Sequence, residues 1–144
     1  MTEHTILVVD DDTAALEAFE AMLTTRGYVV RVARDGAAGF AAIAECVPSA
    51  VVLDLHLPTI SGLEVLRRLR ADGVNDRLPV TLVTGDYLIE DRVSDEIAAL
   101  GAKLFFKPLW EDDLVEIVEG LIGPCGSSIC VDALRASDTR TPAN

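Results

Sequence analysis

The sequence is poor in basic side chains and in aromatic residues. Its 144 residues include 24 acidic side chains and only 12 basic ones, which gives a formal net charge of −12. A field of that sign repels the phosphate backbone of nucleic acids and an anionic membrane surface, so we expect no direct binding to either. Aromatic residues make up 5% of the chain while 50% is apolar, which favours a folded core of aliphatic side chains over disorder.

Features of exported or membrane-embedded chains are also lacking. The first residues provide no basic region followed by a long apolar segment, and no apolar run approaches the roughly 18 residues that a spanning helix needs. The three cysteines, Cys46, Cys125 and Cys130, are an odd number and do not resemble a disulfide framework. Together these absences predict a cytoplasmic location.

Strand and helix patterns alternate five times along the chain. Continuous apolar runs predict strands at residues 5–9, 28–33, 50–53, 79–83 and 103–106. After each strand, apolar residues spaced three or four apart predict a helix. Asp12 or Thr13 is suited to cap the first helix, and Ser61 with Glu64 forms a capping-box pattern at the third. The length suffices for one domain of this kind.

This alternation predicts an α/β fold of three layers. Each strand is interpreted as apolar on both faces, which is typical of a parallel sheet with right-handed crossovers and helices on both sides. Ligands of such sheets bind outside the carboxyl ends of the strands. Functional residues are therefore expected where the strands end.

Residues 123–144 differ in composition from the rest. They hold two acidic and two basic side chains, so the net charge belongs to residues 1–122, which carry 22 acidic and 10 basic ones. The opening glycines, proline and serines predict a flexible or weakly ordered C-terminal tail. Cys125 and Cys130 lie in this tail without a nearby histidine or second cysteine pair, which makes them a poor metal motif.

Charged or polar side chains follow four of the five predicted strands. In chain order they are Asp10, Asp11, Asp12, Asp54, Thr84 and Lys107. The first and third strands are expected to be neighbours, which would bring several carboxylates close together. Like charges at short distance disfavour ionisation, and a hard divalent cation reverses that preference. The pattern predicts a Mg²⁺ site, since Mg²⁺ binds through one or two carboxylates and completes its shell with waters and a phosphoryl oxygen.

Asp54 is the candidate nucleophile of this site. An ionised carboxylate can attack phosphorus without a separate base and form an aspartyl phosphate. The transferred group carries charge on its equatorial oxygens, which a metal, an ammonium and a hydroxyl can stabilise. We expect Asp10 and Asp11 to hold the metal. The ammonium would come from Lys107 and the hydroxyl from Thr84.

These residues resemble the receiver domain of two-component response regulators, in particular the stand-alone receivers of chemotaxis. The matching segments, in the family's order, are residues 6–11 (ILVVDD), residues 54–62 (DLHLPTISG), Thr84-Gly85, and Lys107-Pro108, a lysine before a usually cis proline. The resemblance covers residues 4–122. It implies a flavodoxin-like (βα)₅ fold with a parallel five-stranded sheet in the order 2-1-3-4-5, and a receiver domain at residues 1–122.

The resemblance also implies a function. The family accepts a phosphoryl group from a histidine kinase or a phosphotransfer protein, here on Asp54, in a Mg²⁺-dependent step, and its only catalytic activity is slow self-hydrolysis. It adds the backbone carbonyl of His56 as a metal ligand, and it implies a switch surface on the fourth helix, fifth strand and fifth helix. The tail is too short for a typical DNA-binding output domain, so we expect a stand-alone receiver with a downstream protein target. Phosphorylation-dependent homodimerisation is left open.

Several positions depart from the family pattern. The family's switch aromatic aligns with Leu104, and Phe105 should point to the opposite face of the sheet. Gly85 replaces the usual alanine beside the hydroxyl, which should leave the pocket open. His56 and Asp86 stand where the family tunes the lifetime of the phosphoryl group, and we hypothesise that they pair across the mouth of the site.

Two other functions remain open from the sequence. A phosphatase of the haloacid-dehalogenase type would use Asp10 as the nucleophile of an Asp-x-Asp pattern with Asp12, and residues 85–91 imitate its late acidic motif. Against it, Ala14 stands where that family has Thr or Val, and Lys107 follows the late motif instead of preceding it. The third reading is an interaction module on the same fold that works without phosphorylation. The sequence identifies neither the kinase, the target nor the signal.

Overall fold

The computed structural model describes residues 4–73 and 75–122, in which five strands and five helices alternate. The strands are β1 (Thr5–Val9), β2 (Val29–Ala33), β3 (Ala50–Asp54), β4 (Val80–Thr84) and β5 (Lys103–Phe106). The helices are α1 (Thr13–Thr25), α2 (Gly36–Glu45), α3 (Gly62–Ala71), α4 (Asp91–Ala99) and α5 (Glu111–Ile122). The predicted alternation is confirmed. The predicted tail, with Cys125 and Cys130, lies outside the described residues.

The strands form one parallel sheet in the order β2-β1-β3-β4-β5, as predicted. β1 pairs with both β2 and β3, and its register sets Val9 opposite Leu53. Asp10 and Asp54, the residues that follow this pair, therefore reach the same edge of the sheet. None of the helices in the described residues is long and apolar enough to cross a bilayer.

Alternate residues of the central strands pack on opposite faces of the sheet. Leu7, Val9 and Leu53 belong to a buried cluster completed by residues of α2, α3 and α4. Ile6 and Val52 belong to a second cluster completed by residues of α1 and α5. This is the period-two alternation of a strand buried on both faces.

Each strand is interpreted in the sequence as apolar on both faces, but β2 and β5 are not buried on both faces. Val29 and Val32 of β2 are 39% and 44% exposed, and Phe106 of β5 is 39% exposed. These strands are the two edges of the sheet. The helices cover the centre of the sheet more completely than its edges, so apolar residues on an edge strand retain contact with water.

The helix caps follow the sequence signals with one difference. The Asp12 carboxylate accepts from the Ala14 N–H at 3.0 Å, and the Ser61 hydroxyl accepts from the Glu64 N–H at 3.2 Å. The reciprocal half of the capping box is replaced, because the Glu64 carboxylate accepts from the guanidinium groups of the following turn. These caps fix where α1 and α3 begin relative to the strand ends.

Candidate functional site

Three carboxylates meet at the carboxyl edge of the sheet. One oxygen from each of Asp10, Asp11 and Asp54 lies within 4.8 Å of the others. Asp10 and Asp54 are buried, at 1% and 6% exposure, whereas Asp11 is exposed. Because β1 and β3 are paired in register, the residues that follow them share this edge. The predicted proximity of the acids is confirmed.

The Lys107 ammonium lies among these acids. Its Nζ donates to Asp10 Oδ2 at 2.6 Å and is 3.7 Å from Asp54 Oδ1. The backbone N–H of Lys107 donates to the carbonyl oxygen of Thr84 at 2.8 Å, which fixes the end of β5 against the end of β4. The Lys107–Pro108 peptide bond is cis, as the resemblance implies. The site thus places the ammonium group of Lys107 beside Asp54, the candidate nucleophile.

The surroundings of Asp54 perturb the pKa of its carboxyl group. The pKa of Asp54 is raised from 3.8 to about 6, chiefly by burial and secondly by repulsion from Asp10. The Lys107 ammonium and the His56 N–H, which donates to Asp54 Oδ1 at 3.4 Å, act in the opposite direction. Hard oxygen donors that repel one another fit a divalent cation, because such an ion favours the ionised form of each acid.

Thr84 lies beside this site at the end of β4. It is fully buried, and the preceding residue, Val83, is in register with Asp54. The Thr84 Oγ1 atom accepts from the Asp86 N–H at 3.0 Å, so the hydroxyl oxygen is fixed by the loop that follows the strand. The structure thus brings Thr84 to the same edge of the sheet as the acids.

His56 and Asp86 form the predicted pair between the loops after β3 and β4. Their Nε2 and Oδ2 atoms are 3.4 Å apart, and the side chains are 59% and 44% exposed. The predicted contact between these two side chains is confirmed, and its place across the mouth of the site stays a prediction. The use of the His56 carbonyl as a metal ligand stays a prediction.

The loop between β3 and α3 is held close to Asp54. The Gly62 N–H donates to the Leu55 carbonyl at 2.8 Å, and a Cβ atom at Gly62 would overlap the backbone carbonyl of Asp54. Thr59, in the same loop, has a positive φ of 71°. The position after Ser61 therefore requires glycine for close approach of the two backbones.

The departures from the family pattern have structural consequences. Leu104 packs with the cluster under α4, whereas Phe105 packs on the opposite face with residues of α5, as predicted. A Cβ atom at Gly85 would meet no atom within 4 Å, so the space beside the hydroxyl is open. The position on β5 where the family has its switch aromatic is thus occupied by an aliphatic residue, Leu104, in this chain.

Sequence reasoning missed Tyr87. Its hydroxyl donates to the Lys107 carbonyl at 2.5 Å, and its ring stacks on Phe106 with centroids 5.2 Å apart. The only sequence signal for this contact is that Tyr87 and Phe106 both lie near strand ends. Hydrophobic periodicity does not specify how the loop that carries Tyr87 folds.

The strand order, the acids after the first and third strands and the lysine after the fifth define a receiver-type α/β domain. The model of the response regulator receiver domain family matches residues 6–119, and the chain belongs to that family. This confirms the resemblance found in the sequence.

Individual relatives agree with this assignment. Response regulator MprA from Mycobacterium sp. (strain KMS) is 44% identical over 97 residues, and its homologue from Mycobacterium ulcerans (strain Agy99) is 43% identical over 97 residues. The match to the first covers 67% of this chain and 40% of the relative, so the chain matches well under half the length of that relative.

Solved structures show the same architecture. A CheY-like response regulator receiver domain protein from Methanospirillum hungatei JF-1 is 28% identical, with a TM-score of 0.75 over 83% of this chain and 93% of that one. The chemotaxis response regulator CheY4 of Vibrio cholerae shares the fold, with a TM-score of 0.75 over 83% of this chain and 99% of that one at 22% identity.

Proposed function

We propose that Asp54 is the phosphoacceptor of a two-component phosphorelay. The observation that supports this is the grouping of the Asp10, Asp11 and Asp54 oxygens within 4.8 Å, with the Lys107 ammonium 3.7 Å from Asp54 Oδ1. The phosphoryl donor is the phosphohistidine of a histidine kinase or a phosphotransfer protein. The chain acts as a signalling protein, with slow self-hydrolysis as its only catalytic activity.

The transfer forms one bond and breaks another. An Asp54 carboxylate oxygen forms a bond to phosphorus while the bond between phosphorus and the donor's imidazole nitrogen breaks, and that nitrogen retains the electron pair. Lys107 and Thr84 stabilise the negative charge on the equatorial oxygens of the transferred group. No general base is needed, because the attacking group is an ionised carboxylate.

Mg²⁺ is the proposed cofactor. Asp10, Asp11, Asp54 and the backbone carbonyl of His56 would hold it. When bound, the ion supplies positive charge that orients and neutralises phosphoryl oxygens. The donor set is made of hard oxygens, and the repulsion that contributes to the raised pKa of Asp54 supports a cation at this position.

The output is a protein contact controlled by phosphorylation. The phosphoryl group on Asp54 biases a two-state equilibrium through Thr84 and Lys107, and the surface of α4, β5 and α5 carries the change to an unidentified protein target. Residues 1–122 form this receiver domain, and the proposed location is the cytoplasm.

The phosphatase alternative is less consistent with the contacts of Asp10. Its Oδ1 accepts from the Asp12 N–H at 3.0 Å and its Oδ2 accepts from the Lys107 ammonium at 2.6 Å, so both oxygens have close donors. Asp54 Oδ1 has longer contacts, at 3.4 Å to the His56 N–H and 3.7 Å to the Lys107 ammonium. A carboxylate whose oxygens are less strongly engaged is the better nucleophile.

Labelling with acetyl phosphate and Mg²⁺, followed by mass-spectrometric mapping, tests the proposal. We expect one phosphoryl group on Asp54, no labelling of the Asp54→Asn variant, and loss of labelling when a chelator removes Mg²⁺. Asp12→Asn is the matched control, because it removes a neighbouring charge while asparagine can still cap α1. Modification of Asp10 would favour the phosphatase, and the absence of any aspartyl phosphate would favour the interaction module.

A further inference from the structure

Tyr87 connects the loop after β4 to the end of β5. This residue lies three positions after Thr84, and its hydroxyl donates to the carbonyl oxygen of Lys107 at 2.5 Å. Its ring is stacked on Phe106, with centroids 5.2 Å apart and planes inclined by 21°. The ring nevertheless remains largely exposed, at 64% for the residue. The contact is therefore made at the surface of the domain and not within the core.

The last residue of β4 and the loop that follows it hold the two peptide groups of Lys107. The Lys107 N–H donates to the Thr84 carbonyl at 2.8 Å, and the Lys107 carbonyl accepts from the Tyr87 hydroxyl. These two hydrogen bonds fix the backbone of Lys107. The position of its ammonium then depends only on the conformation of the side chain. That ammonium is 2.6 Å from Asp10 and 3.7 Å from Asp54. A displacement of the Lys107 backbone would change both distances.

The side chains of β5 give this loop no other aromatic support from the α4 side. Leu104 is aliphatic and packs in the cluster under α4, and Phe105 packs on the opposite face of the sheet. Phe106, the last residue of β5, is the one that stacks on Tyr87. The aromatic contact between the end of β5 and the loop after β4 is thus made by Tyr87 of that loop.

We propose that Tyr87 is a positioning residue for Lys107, whose ammonium it fixes between Asp10 and Asp54 by holding the end of β5 to the loop that follows Thr84. The consequence for phosphoryl transfer rests on the proposed function, because the position of Lys107 affects the reaction only if Asp54 accepts the phosphoryl group. The effect on Lys107 itself does not depend on that function.

Lysine acylation measures the position of Lys107 without any phosphoryl transfer. Lys103 and Lys107 are the only lysines of the chain, so Lys103 is an internal reference. Partial acylation of the native protein with acetic anhydride, read by mass spectrometry, gives the reactivity of Lys107 relative to Lys103. In the Tyr87→Leu variant we expect this ratio to rise, because the ammonium is released from its carboxylate partners.

The rate of Asp54 labelling by acetyl phosphate measures the consequence. Loss of one hydrogen bond in Tyr87→Phe should slow labelling by about twofold to tenfold, and Tyr87→Leu, which also loses the stack, should slow it further. Because Tyr87 is largely exposed, neither variant creates a buried cavity, and urea unfolding should show both folded. Leu88→Ala is the matched control: the neighbouring side chain is 90% exposed, and its removal should change neither readout.

The two measurements separate the two proposals. The positioning role would be overturned if the ratio of Lys107 to Lys103 acylation were the same in Tyr87→Leu and in the protein with the original sequence, whatever the labelling result. A raised ratio with an unchanged labelling rate would overturn its role in transfer. If the unmodified chain is not labelled at Asp54, the proposed function fails, while the acylation ratio still decides whether Tyr87 positions Lys107.

Discussion

His56 and Asp86 approach each other from two different loops, those that follow β3 and β4. The His56 Nε2 and Asp86 Oδ2 atoms are 3.4 Å apart, and both side chains are more than two-fifths exposed. Exposed pairs of this kind contribute little to stability, typically below about 1 kcal/mol. Their position suggests a test, because each residue lies two positions after a residue of the site, Asp54 or Thr84, and we expect the pair to limit the approach of water to Asp54.

At the residue scale, we therefore predict that His56→Ala shortens the lifetime of the phosphoryl group on Asp54. If the whole energy of such a pair affects the hydrolysis barrier, its loss increases the rate of dephosphorylation by about twofold to fivefold. The measurement is the decay of purified, labelled protein in the presence of Mg²⁺. Asp86→Asn is the companion variant, because it removes the charge while its side-chain oxygen can still accept from the Leu88 N–H. An unchanged decay rate in His56→Ala would exclude this role.

The junction between β3 and α3 shows how one helix constrains the strand that carries the nucleophile. Ser61 caps α3, and the next residue, Gly62, donates its N–H to Leu55 at 2.8 Å. Two backbone segments approach so closely here that a side chain on Gly62 would meet the Asp54 carbonyl. The start of α3 thus fixes the direction in which the chain leaves the site.

At the element scale, Gly62→Ala should destabilise the domain. Alanine favours a helix by up to about 1 kcal/mol over glycine, but overlap with backbone costs typically about 1–3 kcal/mol, and backbone cannot move aside as a flexible side chain can. Urea unfolding should show the net loss. Gly120→Ala in α5 is the contrasting variant, because its Cβ would meet nothing within 4 Å, and it should stabilise by about 0.5–1 kcal/mol. A stabilising Gly62→Ala would contradict the close approach.

The whole molecule carries its excess negative charge on a fold that also buries two acids. Residues 1–122 hold 22 acidic and 10 basic side chains, and Asp10 and Asp54 are buried at one edge of the sheet. Burial, with repulsion from Asp10, raises the pKa of Asp54 from 3.8 to about 6. Between these two values the folded state binds a proton that the unfolded state has released. The free energy of unfolding therefore falls as pH rises through this range.

At the scale of the whole domain, Asp54→Asn should be more stable than the unmodified chain at pH 7 in a chelator. The shift in the pKa corresponds to a difference of up to about 3 kcal/mol, which should vanish below pH 4. Urea unfolding at pH values from about 3 to 7 gives this difference directly. Asp95→Asn, at an exposed position of α4, is the control and should show a small difference throughout. A difference for Asp54→Asn that stays constant with pH would contradict the prediction.

The fold and the acidic pocket could be predicted because they depend on local pattern and topology. Apolar runs that alternate with helical spacing define a parallel sheet, and in such a sheet strand ends share one edge. Asp10, Asp54, Thr84 and Lys107 lie together at this edge for that reason. Side-chain caps such as Ser61 could be predicted because they act within one helical turn.

The rest depends on contacts that the pattern does not encode. Tyr87 and Phe106 meet because a loop folds back onto a strand end, and loop conformations follow no hydrophobic period. Val29 and Val32 are apolar like the buried valines, and only the position of β2 at the edge of the sheet explains their exposure. Glu64 has several donors within reach, and the choice among them depends on side-chain geometry.

The continuous sheet separates the apolar interior into two compartments that share no side-chain space. Substitutions beneath α1 and α5 cannot be compensated by repacking beneath α2, α3 and α4, because hydrogen-bonded backbone lies between them. Each half of the interior can accordingly diverge at its own pace, in evolution or in engineering. One set of helices can then be rebuilt for a new partner while the packing on the other side is inherited intact.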